Sequence, residues 1–308
     1  MMNNNIKPNK STFWDKVKKN LNPYTIVIFT LLMIYCVYQI ALLAWGLMKS
    51  LHDPVDYLVR GTVSNWPDKF SLVNYVKAFS TISITLERHL GGYKIYLAEM
   101  FMNSFFYSFG SAAVSVITCC TVAYVVNKHN FRFNKVINFV FWFSYMVPIM
   151  GTMGSTIQIT EALGIRNTWI GMFILKMTFT GGNSFLLFGA AFRSLDNGYK
   201  EAAIIDGAGD FQVMVQIMFP LVKGLIFTFF ILGFIGCCND YYTPMIYLQK
   251  NPTAAYGLYR FNNNQSQGTN FLTYKLAGFM ILMIPTFIIF MIFKDKFMAS
   301  VTEGGMKG

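Results

Sequence analysis

Long blocks of apolar residues alternate with shorter polar stretches along the 308-residue chain. Each block is about as long as the roughly 20 residues that a helix needs to cross a bilayer. Backbone groups in lipid must be hydrogen-bonded within their own segment, so such blocks predict helices. The pattern therefore predicts an all-α, polytopic membrane helix bundle with six transmembrane helices. The blocks lie at 24–48, about 100–127, about 136–158, about 168–192, about 222–246 and about 272–293.

Polar stretches separate the first block from the others and flank the bundle. Residues 1–23 and 294–308 form tails, and 49–99 connects the first span to the remaining core, 100–293. Within this connection, apolar residues recur at i, i+3, i+4 and i+7, which predicts an amphipathic helix lying on the outer membrane face. These residues are Leu72, Tyr75, Val76 and Phe79.

The composition excludes a soluble domain. Only 13% of the residues are charged and 54% are hydrophobic, whereas soluble domains carry about 25% charged residues. The net charge of +11 does not indicate nucleic-acid binding, because the basic residues flank the apolar blocks. The five cysteines all lie inside apolar blocks, without metal ligands at suitable spacing, and fit small packing residues.

Basic residues in the short loops predict the orientation of the chain. The tail 1–23 carries five lysines and the loop 128–135 three basic residues without an acid, whereas 159–167 carries only Arg166. With six spans, both termini and the polar segment 194–221 then face the cytoplasm, and 49–99 lies outside.

The spans offer no catalytic, metal-binding or ion-coupling site. Three charged residues lie near the ends of spans: Lys176, Asp240 and Lys275. Snorkelling of their charged groups toward the membrane interface explains how they are tolerated there. The sequence also lacks a phosphate-binding GxxxxGK loop. Any uphill transport must therefore draw its energy from a partner.

The segment 194–221 is long and of mixed polarity. Two short amphipathic helices fit 196–221, with Asp196 or Asn197 capping the first and Asp210 capping the second. Gly207 stands where a left-handed residue ends the first helix. The second helix is predicted to carry an apolar stripe that packs on neighbouring helix ends. The stripe consists of Phe211, Met214, Val215 and Met218. Periodicity alone leaves open a helix–turn–helix that only rests on lipid.

The stretch "EAAIIDGAGDFQVMVQIMFPL" (201–221) resembles the EAA motif of ABC importer permeases. The motif reads Glu-Ala-Ala, three residues, Gly, nine residues and Ile-x-x-Pro. Its positions are filled by Glu201, Ala202, Ala203, Gly207, Ile217 and Pro220, and Asp206 and Ala208 complete the Asp-Gly-Ala form of sugar importers.

Further stretches resemble carbohydrate permeases of this kind. They are "NWPDKFSLVNY" (65–75), "LGIRNTWIGM" (163–172), "NDYYTPMIYL" (239–248) and the ending "GGMKG", which is similar to the smaller permease subunit of maltose-type systems. Gly224 and Cys238 depart from the residues usual in the family.

The resemblance implies a type I ABC importer permease fold in which 194–221 docks into an ATPase subunit. Glu201 would make a charge-assisted contact there, Ala202 and Ala203 would permit close seating, and Gly207 would turn the chain. Asp206 and Pro220 complete the coupling residues. The chain itself would not be an enzyme and would bind no cofactor, since ATP and Mg would be held by the partner ATPase.

The resemblance also implies partners and a cargo. These are a second homologous permease subunit, an ABC ATPase dimer, an extracellular solute-binding protein, membrane lipid of the bacterial plasma membrane, and a sugar or oligosaccharide. The substrate path is assigned to Asn239, Asp240, Tyr241 and Tyr242, whose polar and aromatic groups suit sugars; alternatively, they mark a helix end at the outer interface. Two other functions remain open: a permease for a peptide or an anion, and a membrane docking or receptor protein without transport.

Overall fold

The computed structural model describes residues 22–60, 66–67, 70–87, 92–129, 132–147, 151–177, 183–263 and 271–305. Most of the predicted tail 1–23 and the end of the "GGMKG" stretch lie outside these residues. The helices, in chain order, are α1 Pro23–Ser50, α2 Pro54–Arg60, α3 Val73–Thr81, α4 Leu97–Lys128, α5 Asn134–Met146, α6 Thr152–Ala162, α7 Trp169–Lys176, α8 Asn183–Ser194, α9 Gly198–Ile205, α10 Asp210–Leu221, α11 Lys223–Asn239, α12 Tyr242–Tyr247, α13 Ala254–Asn263 and α14 Leu272–Gly305.

Within the described residues, three helices are long and apolar enough to cross a membrane: α1, α4 and α14. The pair α10 and α11, bent by 78° at its joint, makes a fourth if it is taken as one span. The apolar residues of α1 are exposed, and only Gly46, Lys49 and Ser50 near its end are buried. Such a surface suits lipid or another apolar helix.

Two predicted spans are not single helices. The block 136–158 contains α5 and α6, and α6 begins after Gly151, whose φ of +83° favours glycine. The block 168–192 contains α7, which ends at Lys176 where Met177 leaves the helical conformation, and α8, which begins at Asn183. An apolar block of span length therefore does not show that the helix within it is continuous.

The last helix extends beyond the predicted span 272–293 into the predicted C-terminal tail. Instead of ending near residue 293, α14 continues to Gly305 and includes Pro285 in its interior. The polar residues 294–305 thus extend the last span as a helix.

The connection 49–99 contains strands, which the all-α prediction missed. Strands β1 Ser83–Thr85 and β2 Lys94–Tyr96 pair antiparallel with Ile84 opposite Ile95, and both isoleucines are buried. They pack with residues of α3, α13 and α14 in one apolar cluster. This cluster forms the hairpin end of the molecule.

The amphipathic helix α3 is oriented by a polar residue. Asn74 is fully buried, and its Nδ2 donates to the carbonyls of Ser50 at 2.7 Å and His52 at 2.6 Å. Of the predicted apolar face, Leu72, Val76 and Phe79 are exposed, whereas Tyr75 is half-buried and packs on the apolar cluster of the hairpin end.

A second apolar cluster lies at the other end of the bundle, which we call the segment end. It joins α4, α8 and α11 to the segment 194–221, and its buried side chains are Val116, Cys119, Cys120, Ala123, Tyr124, Val126, Phe141, Phe185, Phe188, Phe192, Ala203, Val213, Met218 and Val222. Since α4 begins beside the hairpin and ends at Lys128 beside the segment, this one helix connects the two ends of the bundle.

Candidate functional site

The first arm of 194–221 is the helix α9. Asp196 Oδ1 accepts a hydrogen bond of 3.0 Å from the backbone N–H of Gly198, the first residue of α9. Asn197 occupies the N-cap position, but its side chain accepts a hydrogen bond from Lys128, so of the two predicted caps it is the Asp196 side chain that contacts the start of the helix.

The first arm ends in a left-handed glycine, as the pattern predicts. Gly207 has a φ of +86°, its N–H donates to Ile204 O at 3.0 Å, and Ala208 N–H donates to Ala203 O at 2.9 Å. This pair of bonds is the Schellman arrangement that satisfies the last carbonyls of a helix. The glycine thus turns the chain from α9 toward the second arm.

The second arm, α10, starts differently from the prediction. Asp210 is its first residue rather than its cap, and the N-cap is Gly209, whose N–H donates to Gln212 Oε1 at 3.1 Å. The prediction of Asp210 as a cap is therefore wrong. Its carboxylate still lies in the first turn, where a negative charge interacts favourably with the helix dipole.

The predicted apolar stripe on α10 is also wrong in part. Residues Val213–Met218 form a π-helical turn, whose wider period shifts the buried face. Val213 and Met218 are fully buried, whereas Phe211 is 73% exposed. The arm still packs on the apolar cluster at the segment end, but through a different set of side chains.

The two alanines of the motif differ in burial, although both line the same cleft. Ala202 is exposed and lines an open cleft of about 530 Å³, together with Tyr199, Asp206 and Ile217. Ala203 is 6% exposed and lies in the cluster with Val213 and Met218. Its small size serves the packing of the two arms, and Ala202 supplies the more exposed part of the cleft.

The outer surface of the segment combines apolar and acidic groups. Ile205 is 85% exposed and Phe211 73%. Four acids of the segment are exposed, against Lys200 as its one base: Asp196, Glu201, Asp206 and Asp210. Exposed apolar side chains rimmed by charge mark an interaction surface, and this charge suits a basic partner.

The predicted path residues do not meet around one cavity. Asn239 lines an apolar groove of about 530 Å³ between α1, α11 and α14, Tyr241 stacks on Tyr259 of α13 with ring centroids 4.4 Å apart, and Tyr242 Oη donates to Met153 Sδ of α6 at 3.1 Å. Neighbouring residues at the end of α11 thus face several different elements.

Asp240 is held by contacts that the sequence did not indicate. One carboxylate oxygen accepts a hydrogen bond of 2.7 Å from Tyr107 Oη and lies 3.5 Å from Lys176 Nζ, and the other accepts from Thr243 N–H at 3.0 Å. Lys176 and Asp240 therefore pair with each other, which replaces the snorkelling interpretation. Tyr107 lies 133 residues from Asp240, so no local motif could reveal the contact.

Comparison with known families decides the class of the protein. Residues 115–302, more than half of the chain, match the family described as binding-protein-dependent transport system inner membrane component. The chain belongs to this family. The resemblance carried by the EAA motif is thereby confirmed. The protein is a multi-pass membrane permease subunit of an ABC transporter and not itself an enzyme.

Permease proteins from three bacteria are similar to this chain over most of their length. The diacetylchitobiose uptake system permease protein of Streptomyces coelicolor is 22% identical, over 91% of this chain and 88% of its own. The maltodextrin transport system permease protein of Streptococcus pneumoniae is 27% identical, over 68% and 74%. The galactooligosaccharides transport system permease protein of Bacillus subtilis is 26% identical, over 72% and 78%.

The fold of the permease is also found in a solved structure. A chain of a bacterial ABC transporter involved in the import of the acidic polysaccharide alginate superposes with a TM-score of 0.69. It covers 88% of this chain and 95% of that chain at 22% identity. The helix arrangement described above is therefore that of an ABC importer permease.

Proposed function

We propose that the permease forms the translocation path for a sugar or oligosaccharide in an ATP-driven importer. Its relatives are named for the transport of diacetylchitobiose, maltodextrin and galactooligosaccharides. The Asp206-Gly207-Ala208 form of its motif is the one that sugar importers share. These similarities support a carbohydrate over a peptide or an anion.

The observation that carries the coupling role is the exposed surface of 194–221. Apolar side chains are exposed outside the packed core at Ala202, Ile205 and Phe211. The acidic residues around them provide negative charge for docking. A partner ATPase dimer that holds ATP and Mg would seat here, and closure of that dimer would move the segment. Neither nucleotide nor metal needs a ligand from the permease itself.

The proposed topology has six membrane crossings with both termini and 194–221 in the cytoplasm. The helices α1, α4, α11 and α14 supply four crossings, and the broken pairs α5–α6 and α7–α8 supply two. Broken spans are tolerated where they are buried in protein or line a cavity. This arrangement puts the hairpin end outside, where an extracellular solute-binding protein delivers its cargo, and leaves other faces for the second permease subunit and lipid.

The substrate path is proposed to use Asn239, Tyr241 and Tyr242, which keep exposed polar or aromatic groups at the outer end of α11. Asp240 belongs to the same stretch, but its carboxylate is already engaged by Tyr107, Lys176 and Thr243. We assign Asp240 to holding the helix ends that border the path.

Reconstitution tests this function. The permease is co-purified with its partner permease and ATPase, placed in proteoliposomes and supplied with the binding protein. We expect ATP-dependent accumulation of maltodextrin-class or chitobiose-class oligosaccharides and sugar-stimulated ATP hydrolysis. Accumulation of a peptide or an organic anion, with no response to any sugar of the panel, would contradict the proposed cargo.

A further inference from the structure

Two lysines connect the end of α4 to the start of the segment 194–221. Lys128 is the last residue of α4, and Lys200 lies in the first turn of α9. Both side chains are half-buried rather than extended into solvent. Each is engaged by the other element.

Lys128 reaches the joint between α8 and α9. Its Nζ donates to the carbonyl oxygen of Leu195 and to Asn197 Oδ1, both at 2.7 Å. Leu195 directly follows the last residue of α8, so its carbonyl is one that the helix itself does not satisfy. An ammonium group is the favoured partner at such a helix C-terminus.

Lys200 makes the reciprocal contact. Its Nζ donates to the carbonyl oxygen of Lys128 at 3.1 Å and lies 3.4 Å from His129 Nδ1. Lys200 therefore caps the C-terminal end of α4, and Lys128 of α4 caps the C-terminal end of α8. We call this reciprocal pair of contacts, Lys128 to Leu195 and Asn197 and Lys200 to the Lys128 carbonyl, the lysine clasp.

Other contacts keep these helix ends in place. Arg193 Nη1 donates to Asn127 Oδ1 at 2.9 Å, and the rings of Tyr124 and Phe192 pack edge to face with centroids 5.5 Å apart. These join α8 to α4, whereas the clasp also reaches α9. The opposite face of α9, with Ala202, remains open in the cleft.

We propose that Lys128 and Lys200 are positioning residues for energy coupling: the lysine clasp transmits movement of the docked segment to α4. Because α4 packs along both α8 and α11 and reaches the hairpin end, its movement would change the bundle along its whole length. The inference rests on the proposed function, since it requires that 194–221 receive the motion of an ATPase.

The test uses the complete reconstituted complex and compares sugar transported with ATP hydrolysed. Lys128→Met keeps the length of the side chain but removes the ammonium donor. We expect this ratio to fall about tenfold, the effect of losing roughly one charge-assisted hydrogen bond, while assembly with the ATPase is retained. Lys200→Met is expected to lower the ratio in the same direction. In the double variant the two losses should be less than additive, because both break one clasp.

Two control variants separate coupling from simple loss of charge or fold. Lys128→Arg keeps a positive charge and several hydrogen-bond donors. Its ratio of sugar transported to ATP hydrolysed should stay close to that of wild type. Lys223→Met removes an exposed lysine at the first residue of α11 and should leave the ratio unchanged. A purely structural role would lower assembly, uptake and hydrolysis in parallel, leaving the ratio as in wild type.

The outcomes distinguish this inference from the proposed function. If the wild-type complex shows no sugar-stimulated hydrolysis, the proposed function itself fails. If the wild type is coupled and both methionine variants keep its ratio, the clasp alone is overturned. Loss of assembly in both variants would show that the lysines serve folding only, which also overturns it.

Discussion

The hydroxyl of Tyr107 donates a 2.7 Å hydrogen bond to the carboxylate of Asp240, and Tyr107 is fully buried. Tyr107 belongs to α4, whereas Asp240 follows the last residue of α11. Lys176 of α7 approaches the same carboxylate oxygen at 3.5 Å. A half-buried carboxylate is costly unless it is paired, so these contacts hold the ends of the three helices to one another.

We predict that Tyr107→Phe destabilises the permease by about 1.5–3 kcal/mol, the usual cost of removing a hydrogen bond to a charged group. Denaturant unfolding in mixed micelles measures the change. Tyr38→Phe is the matched control, because Tyr38 is exposed on α1, and it should change stability by about 0.5 kcal/mol at most. Equal effects of the two variants would show that the Tyr107 contact contributes nothing specific.

The two glycines of the segment provide a second prediction. A Cβ added to Gly207 or Gly209 meets no atom within 4 Å, but Gly207 has a φ of +86° and Gly209 a φ of −73°. Gly207→Ala should therefore cost about 1–2 kcal/mol of backbone strain. The opened segment would become roughly 5- to 30-fold more populated, which limited proteolysis of 194–221 measures.

Gly209→Ala is the control for this experiment, since any side chain adopts its extended conformation. It should leave the cleavage rate close to that of wild type. Faster cleavage in Gly209→Ala than in Gly207→Ala would contradict the assignment of the turn to Gly207.

The different burial of the two alanines predicts different defects. Ala202→Asp places bulk and charge on the open cleft, so the permease should fold normally while sugar uptake falls about tenfold or more. Ala203→Asp buries a carboxylate among apolar side chains, so the segment itself should lose its packing. Protease resistance of 194–221, measured beside uptake, separates the two defects. A protease-resistant Ala203→Asp variant would contradict the buried position of Ala203.

Local sequence patterns predict some of these features well. Gly207 could be recognised because a helix end of this kind requires a left-handed residue, and the EAA spacing identified both the segment and the family. The order of apolar blocks was sufficient to establish a membrane helix bundle.

Other features depend on interactions that a local pattern does not contain. In α10 the π-helical turn Val213–Met218 buries Val213 and Met218, whereas Phe211 before it is exposed. The bonds of Lys128 and Tyr107 join residues more than 60 positions apart. The amide of Asn74 holds α3 against the end of α1 through two further hydrogen bonds. Periodicity along the sequence does not show any of these long-range contacts.

The most direct test of the account is a photo-crosslink from the segment to the ATPase. A photoreactive residue replaces Ile205, which is 85% exposed beside the motif, or Tyr96, which is 53% exposed at the hairpin end, in the assembled complex. We predict that the residue at position 205 crosslinks to the ATPase subunit and the residue at position 96 does not. A crosslink to the ATPase from position 96, with none from 205, would contradict the central claim that 194–221 is the coupling element.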